Sequence, residues 1–99
     1  MRLDNRQQRI ARDAVRAHFG TTARVWLFGS RARDDLRGGD IDLYVETDAS
    51  ESLLKAEARA ILDIQRALGE QRIDLVTHVR GHPRRAIAQI ARETGIELQ

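Results

Sequence analysis

Three short apolar segments, each bounded by glycine or other turn-forming residues, limit what this chain can fold into. They are residues 23–28 (ARVWLF), 41–46 (IDLYVE) and 72–78 (RIDLVTH). Runs of this length that are rich in branched aliphatic residues are typical of strands. The segments around them have the apolar spacing of helices. The sequence therefore predicts the α/β (α+β) class, with a small mixed sheet of about three strands and helices packed on it.

Three helices are predicted from this spacing and from end signals. The first covers residues 3–18, the second begins at a capping box of Asp48 and Glu51 and ends at Gly69, and the third begins at Pro83 and ends at Gly95. Periodicity places the following residues on their inner faces: Leu3, Ile10, Ala14, Ala17 and His18 in the first; Leu54, Ala58, Ile61, Leu62 and Leu68 in the second; Ala86, Ile87, Ile90 and Ala91 in the third.

Length and composition exclude several classes of protein. The chain has 99 residues, which is enough for one domain over residues 1–99. It has no cysteine, which excludes a disulfide scaffold, a cysteine zinc site and a thiol nucleophile. No apolar run approaches the ~20 residues of a membrane span, and the charged N-terminal residues lack the apolar region of a secretory signal. We therefore expect a cytoplasmic protein that has no contact with a membrane.

Carboxylates on the second and third strands carry the main chemical signal. Strand alternation places Asp40 and Asp42 on one face, about 7 Å apart along the backbone, and Asp74 points to the same side of its own strand. Like charges this close raise one another's pKa unless a cation joins them, and Mg²⁺ prefers such oxygen ligands. The alternative is that these aspartates are solvated at a turn and a strand edge. If the two strands are neighbours, Asp40, Asp42 and Asp74 form a metal site.

A second signal follows the first strand. Gly29 allows the backbone to approach a ligand closely, and Ser30 stands where a helix N-terminus would attract phosphate. Phosphoryl and nucleotidyl transfer need a phosphate-binding turn and a metal-binding pair of carboxylates. Gly29-Ser30, followed ten residues later by Asp40 and Asp42, would provide both.

The run from Gly29 to Arg33 (GSRAR), followed by Asp40-Ile41-Asp42-Leu43, resembles the signature of the polymerase-beta-like nucleotidyltransferases. In its short form the chain is similar to the minimal nucleotidyltransferases (MNT), and Asp74 matches their third carboxylate. Two positions depart from the family pattern: Asp34 replaces a usual glycine and Gly39 a frequent serine.

The resemblance implies a nucleotidyltransferase fold and a metal-dependent reaction. Asp40 and Asp42 would bridge two Mg²⁺ ions, with Mn²⁺ as a possible substitute, and Asp74 would help to activate an acceptor hydroxyl. ATP would be the substrate and pyrophosphate the product. Gly29, Ser30 and Arg33 would bind its phosphates. For Arg33, an outward salt bridge to Asp34 or Asp35 is an equal alternative.

The resemblance also implies a partner. Larger members carry a further domain for the acceptor, whereas this chain has only one helix and four residues after the last predicted strand. Minimal members commonly pair with HEPN-type toxin proteins as antitoxins, and some transfer AMP to a tyrosine hydroxyl of the toxin. We therefore expect a hetero-oligomer with such a toxin, without direct nucleic-acid binding. Ile96 and Leu98 would dock on the partner or, alternatively, add an edge strand.

Two other functions remain open at this point. One is an antitoxin without catalysis, which masks the toxin by contact. The other is a nucleotidyltransferase that acts on a small molecule of the aminoglycoside type, with its pocket at a dimer interface.

Overall fold

A computed structural model describes residues 3–29, 40–48, 51–69 and 71–99. The elements in chain order are α1 (Asn5–Phe19), β1 (Arg24–Phe28), β2 (Ile41–Thr47), α2 (Leu53–Leu68), β3 (Ile73–Val79), α3 (Ala86–Thr94) and β4 (Ile96–Leu98). Of the residues singled out in the sequence, Ser30, Arg33, Asp34, Asp35 and Gly39 lie outside the described part of the chain.

The strands form one mixed sheet in the order β3-β2-β1-β4. β2 and β3 are parallel, whereas β1 is antiparallel to both β2 and β4. The predicted mixed α/β architecture is confirmed, with one strand more than expected. Ile96 and Leu98 form that fourth strand, and Leu98 is buried. The edge-strand alternative is therefore correct for these two residues.

The two faces of the sheet have different coverings. α1 and α2 pack on the face that carries Leu27, Leu43 and Val45, and this layer contains the larger aliphatic core. On the other face, Trp26 and Tyr44 lie under Ala88 and Ala91 of α3. Strand alternation explains these two sides, since Tyr44 of β2 points opposite to Leu43 and Val45.

The start of α2 differs from the prediction because Asp48, the expected cap, bonds instead to side chains that are distant in sequence. Asp48 is not part of a capping box: its carboxylate accepts a hydrogen bond from Thr22 Oγ1 at 3.1 Å and pairs with Arg80 Nη1 at 3.0 Å. α2 begins instead after Ser52, which adopts a left-handed conformation without a side-chain cap. A capping box is present at α1, where Asp4 and Gln7 exchange hydrogen bonds.

α3 also begins later than predicted, at Ala86 rather than Pro83, and presents a different face to the sheet. Ala88 and Ala91 are buried, whereas Ile87 is 45% and Ile90 56% exposed. Alanine has the smallest side chain that still has a Cβ, so this face lets the helix approach the two aromatic rings beneath it. The predicted inner face was correct for Ala91 and wrong for Ala86, Ile87 and Ile90.

The inner faces of the other two helices were also only partly correct. In α1 the buried residues are Ala11, Ala14, Val15 and Phe19, while Ala17 is exposed. In α2 they are Ala60 and Ile64, with Ile61 and Leu68 partly buried, while Leu54, Ala58 and Leu62 are exposed. Each helix is rotated relative to the prediction, because a single sequence shows an apolar stripe but not the surface that it meets. None of the described helices is long and apolar enough to cross a membrane.

Candidate active site

Residues from β1, β2 and β3 line up in three rows across the sheet face that carries α3. The first row is Phe28, Asp42 and Asp74; the second is Trp26, Tyr44 and Val76; the third is Arg24, Glu46 and His78. α3 covers the second row with Ala88 and Ala91. The carboxylates of the first row stay partly exposed: the Asp74 side chain is 45% accessible. This open end of the sheet is the candidate active site.

Asp42 and Asp74 are direct partners in the parallel ladder. Neighbouring strands lie about 4.8 Å apart, so the two side chains leave the same face next to each other. The condition set by the sequence, that the second and third predicted strands be neighbours, is fulfilled. Asp40 immediately precedes β2 and is close enough for its charge to act on Asp42.

The surroundings of Asp42 disfavour its charged form. Burial raises the pKa of this carboxyl first, and the negative charges of Asp74 and Asp40 together with a hydrogen bond to Asp74 raise it further. The positive charge of Arg72 acts in the opposite direction. Arg72 also approaches Asp74, with 3.5 Å between Nε and Oδ1. The three carboxylates therefore form one electrostatically coupled group.

Gly29 lies directly beside this group. It has a φ of +72°, a region that side chains rarely adopt. A Cβ added to it would collide with Oδ2 of Asp42 and would lie 3.3 Å from Cγ. The sequence predicted Gly29 for its close approach to phosphate, a role that stays a prediction. The structure gives a second reason for glycine, which is the space that the Asp42 carboxylate occupies.

The chemistry of these residues fits a divalent cation. A cation placed among Asp40, Asp42 and Asp74 would relieve the repulsion that raises the Asp42 pKa, and carboxylate oxygens are ligands that Mg²⁺ accepts. In the described parts of the chain, no three His, Cys, Asp or Glu side chains are already arranged as a ligand set. The assignment of these three aspartates as metal ligands therefore stays a prediction.

A second polar cluster, which the sequence did not reveal, lies in the third row. Glu46 is 4% exposed and accepts hydrogen bonds from the Tyr44 hydroxyl at 2.7 Å and from Arg84 Nη2 at 3.1 Å. Arg92 Nη1 pairs with the same carboxylate at 3.2 Å, and its guanidinium lies 5.1 Å from the centre of the Trp26 ring. Burial and the bond to Glu46 raise the pKa of Tyr44, which keeps the phenol protonated.

This Glu46 cluster attaches α3 and the segment before it to the sheet. Tyr44 and Trp26 are packing residues, with ring centres 5.3 Å apart. The only sign of this cluster in the sequence is strand alternation. It puts Glu46 on the same side of β2 as Asp42 and Tyr44, where a carboxylate needs either solvent or a cation as a partner. Arg84 and Arg92 supply the cations from a part of the chain that the strand pattern does not identify.

Comparison with protein families gives a match over most of the chain. Residues 9–95 match the model of the nucleotidyltransferase domain. The matched range contains β1 to β3 and therefore Gly29, Asp40, Asp42 and Asp74. Comparison with the curated proteins finds none that matches.

Proposed function

The chain belongs to the nucleotidyltransferase domain family, and we propose that it transfers AMP from ATP to a tyrosine hydroxyl of a partner protein. The partner that we propose is a HEPN ribonuclease toxin, which the transfer would inactivate. The observation that carries the transferase activity is the cross-strand pair of Asp42 and Asp74 next to Gly29 at the open end of the sheet. The tyrosine acceptor and the toxin rest on the resemblance to minimal nucleotidyltransferases.

The residues of the site have distinct roles in this reaction. Asp40, Asp42 and Asp74 would hold Mg²⁺, which when bound neutralises charge on the triphosphate and lowers the pKa of an acceptor hydroxyl. The acceptor oxygen forms a bond to the α-phosphorus, the bond from that phosphorus to the bridging oxygen breaks, and pyrophosphate leaves. Asp74, whose side chain is 45% accessible, would accept the proton of the hydroxyl. Gly29 would let the phosphates approach the backbone.

A direct test incubates the purified chain with the product of the adjacent gene, Mg²⁺ and each nucleoside triphosphate in turn. Intact-mass spectrometry of the partner should show a gain of one or more AMP units with ATP. Asp40→Ala and Asp74→Ala should each abolish this gain, because each removes a carboxylate of the site. Asp13→Ala is the matched control: it removes an exposed aspartate of α1 that pairs with the adjacent Arg12, and it should leave the transfer unchanged.

The same experiment can contradict the proposal. If the wild-type chain neutralises the toxin without any mass gain, and an Asp40→Ala/Asp42→Ala variant neutralises it equally well, the chain acts by contact alone. A transfer that survives in Asp74→Ala would place the proton acceptor elsewhere.

A further inference from the structure

One outer edge of the sheet is formed by β3, and half of the backbone groups of this strand point away from the sheet. The Arg72 carbonyl accepts a hydrogen bond from the Ile41 N–H and the Arg80 N–H donates to the Thr47 carbonyl, each at 2.9 Å. Backbone groups alternate in direction along a strand, so the even-numbered residues of β3 bond to β2. The outward groups belong to Ile73, Leu75, Thr77 and Val79. In the described part of the chain, no strand pairs with them.

This edge is open and long enough to pair with another strand. β3 has seven residues and contains neither proline nor lysine, which natural edge strands use to prevent such pairing. Leu75 and Thr77 are partly exposed, whereas their neighbours on β2, Leu43 and Val45, are fully buried. The same helix layer thus covers β2 but leaves the outer side of β3 accessible.

The residues of β3 match one another in one antiparallel register. With a two-fold axis at Val76, all seven residues of one copy face the seven of another, and Leu75 exchanges hydrogen bonds with Thr77. Asp74 then lies opposite His78, so a carboxylate meets a ring that carries a positive charge when protonated. Moving the axis by one residue in either direction shortens the overlap and places Asp74 or His78 opposite Val76.

The charged residues that flank β3 permit this register. Arg72 and Arg80 face each other across the axis, but each of them already pairs with a carboxylate of its own copy. Nε of Arg72 lies 3.5 Å from Oδ1 of Asp74, and Nη1 of Arg80 lies 3.0 Å from Oδ2 of Asp48. Their charges are therefore partly neutralised before two copies meet.

α2 adds an apolar flank on the same side of the molecule. Its Glu57 accepts a hydrogen bond from Thr77 Oγ1 at 2.9 Å, which places this side of α2 next to β3, whereas Asp63 bonds to α1. At 100° per residue, Leu54 and Ile61 lie about 40–60° beyond Glu57, in the direction away from Asp63. Leu54 is 82% exposed and Ile61 is partly buried. A second copy that extends the sheet at β3 would bring its own α2 against this flank.

We infer that two copies of this chain associate through β3 and join their four-stranded sheets into one. The occupant of the edge is a second copy because β3 complements itself along its whole length, and because a two-fold axis brings the same apolar flank of α2 from both sides. The dimer goes beyond the proposed function and does not depend on the transfer of AMP. It borders the candidate active site, since it places His78 of the second copy next to Asp74.

A single introduced cysteine tests the register, because the chain has none of its own. Residue 76 faces its own counterpart in a non-hydrogen-bonded pair, where the Cα atoms are about 4.5 Å apart and within reach of a disulfide. Val76→Cys should therefore form a covalent dimer under mild oxidation, seen as a doubling of the 11.2 kDa mass without reductant. Thr77→Cys is the matched control: its two copies are about 9 Å apart in this register, too far for a disulfide.

Sedimentation equilibrium tests the dimer without a covalent link. At tens of micromolar the unmodified chain should have twice the mass of 11.2 kDa. Leu54→Glu should raise the dissociation constant of the dimer about tenfold, because each copy brings a carboxylate into an apolar contact. Leu62→Glu is its control, since Leu62 is an exposed leucine on the side of α2 opposite Ala60 and Ile64, and it should leave the constant unchanged. Circular dichroism confirms that the variants are folded.

Three results would overturn the inference. One is a wild-type chain that stays monomeric at these concentrations, and another is equal cross-linking of the folded Val76→Cys and Thr77→Cys variants. The third is a chain whose β3 edge pairs only with the product of the adjacent gene, which would make another protein the occupant. None of these results bears on the transfer of AMP, which is measured on the partner protein.

Discussion

Gly29 and Asp42 are so close that only one of them can have a side chain of ordinary size. A Cβ at residue 29 would fit only if residue 42 had a side chain smaller than aspartate. The carboxylate of Asp42 occupies the position that a side chain at residue 29 would need. The absence of a Cβ at Gly29 leaves free the space in which the Asp42 carboxylate lies, beside Asp74. Its effect is therefore on the carboxylates themselves, in addition to any effect on a phosphate.

This coupling can be measured by a double-mutant cycle. Gly29→Ala should destabilise the fold by about 1–3 kcal/mol, because it adds both a strained positive φ and the collision with Asp42. In an Asp42→Ala background the collision disappears, and the cost should fall by roughly 1 kcal/mol, leaving the backbone strain. Urea unfolding of the four proteins provides the free energies of unfolding.

Gly81 provides the matched control for this cycle. It also has a positive φ, +93°, but a Cβ there would meet nothing within 4 Å. Gly81→Ala should therefore show the strain cost alone, with no coupling to Asp42→Ala. Additive effects of Gly29→Ala and Asp42→Ala would show that the contact has no energetic consequence.

At the scale of elements, α3 depends on one buried carboxylate for its position. Glu46 accepts hydrogen bonds from Tyr44 on the sheet and from Arg84 before the helix, and it forms an ion pair with Arg92 within the helix. These polar contacts attach the helix to the sheet in addition to the packing of Ala88 and Ala91 on Trp26 and Tyr44.

Glu46→Ala should therefore destabilise the fold by about 2–4 kcal/mol, since it leaves two guanidinium groups and a buried phenol without their acceptor. Glu93→Ala is the control: Glu93 is an exposed carboxylate of the same helix that accepts a bond from Gln89, and its loss should cost less than about 0.5 kcal/mol. Thermal unfolding of both variants gives the comparison. Equal small effects would show that packing alone holds α3.

At the scale of the whole molecule, the last strand of the sheet pairs with the first. β4 pairs with β1, and the guanidinium of Arg24 binds Glu97, 73 residues away, with 2.8 Å from Nε to Oε2 and 2.7 Å from Nη2 to Oε1. This interaction holds the pKa of Glu97 below its ordinary value, although burial acts against it.

The sign of the shift gives a pH dependence. Because the pKa of Glu97 is lower in the folded state, its contribution to stability is fully present above the unfolded pKa of about 4.3 and is lost as the pH falls through the folded value. Glu97→Gln should therefore destabilise the fold by up to about 1 kcal/mol at pH 7 and by less at pH 3, the value being small because the pair is partly exposed. Urea unfolding at both pH values measures it. A cost that is equal at the two pH values would assign the effect to packing.

The sequence by itself determined the features that depend on near neighbours. Strand alternation is local, so the common side of Asp40 and Asp42 followed from the order of residues in one strand, and the side of Asp74 followed in the same way. Apolar runs and glycines located three strands and three helices, with ends that moved by a few residues. The motif residues Gly29, Asp40, Asp42 and Asp74 stood out because their types and spacing together suit phosphate and metal.

Only the tertiary structure decided which groups meet across the fold. β4 has three residues, which are too few for strand alternation to be recognised. It is a strand because its backbone pairs with the free edge of β1. The aromatic rings beneath α3 determine which face of the helix is buried. The small side chains Ala88 and Ala91 pack on these rings, whereas Ile87 and Ile90 are exposed. Asp48 bonds to Thr22 and Arg80 instead of capping a helix, and Glu46 is buried because Arg84 and Arg92 arrive from elsewhere. In each case the stabilising free energy comes from a contact between residues that are distant in sequence, so the local sequence around either residue does not predict it.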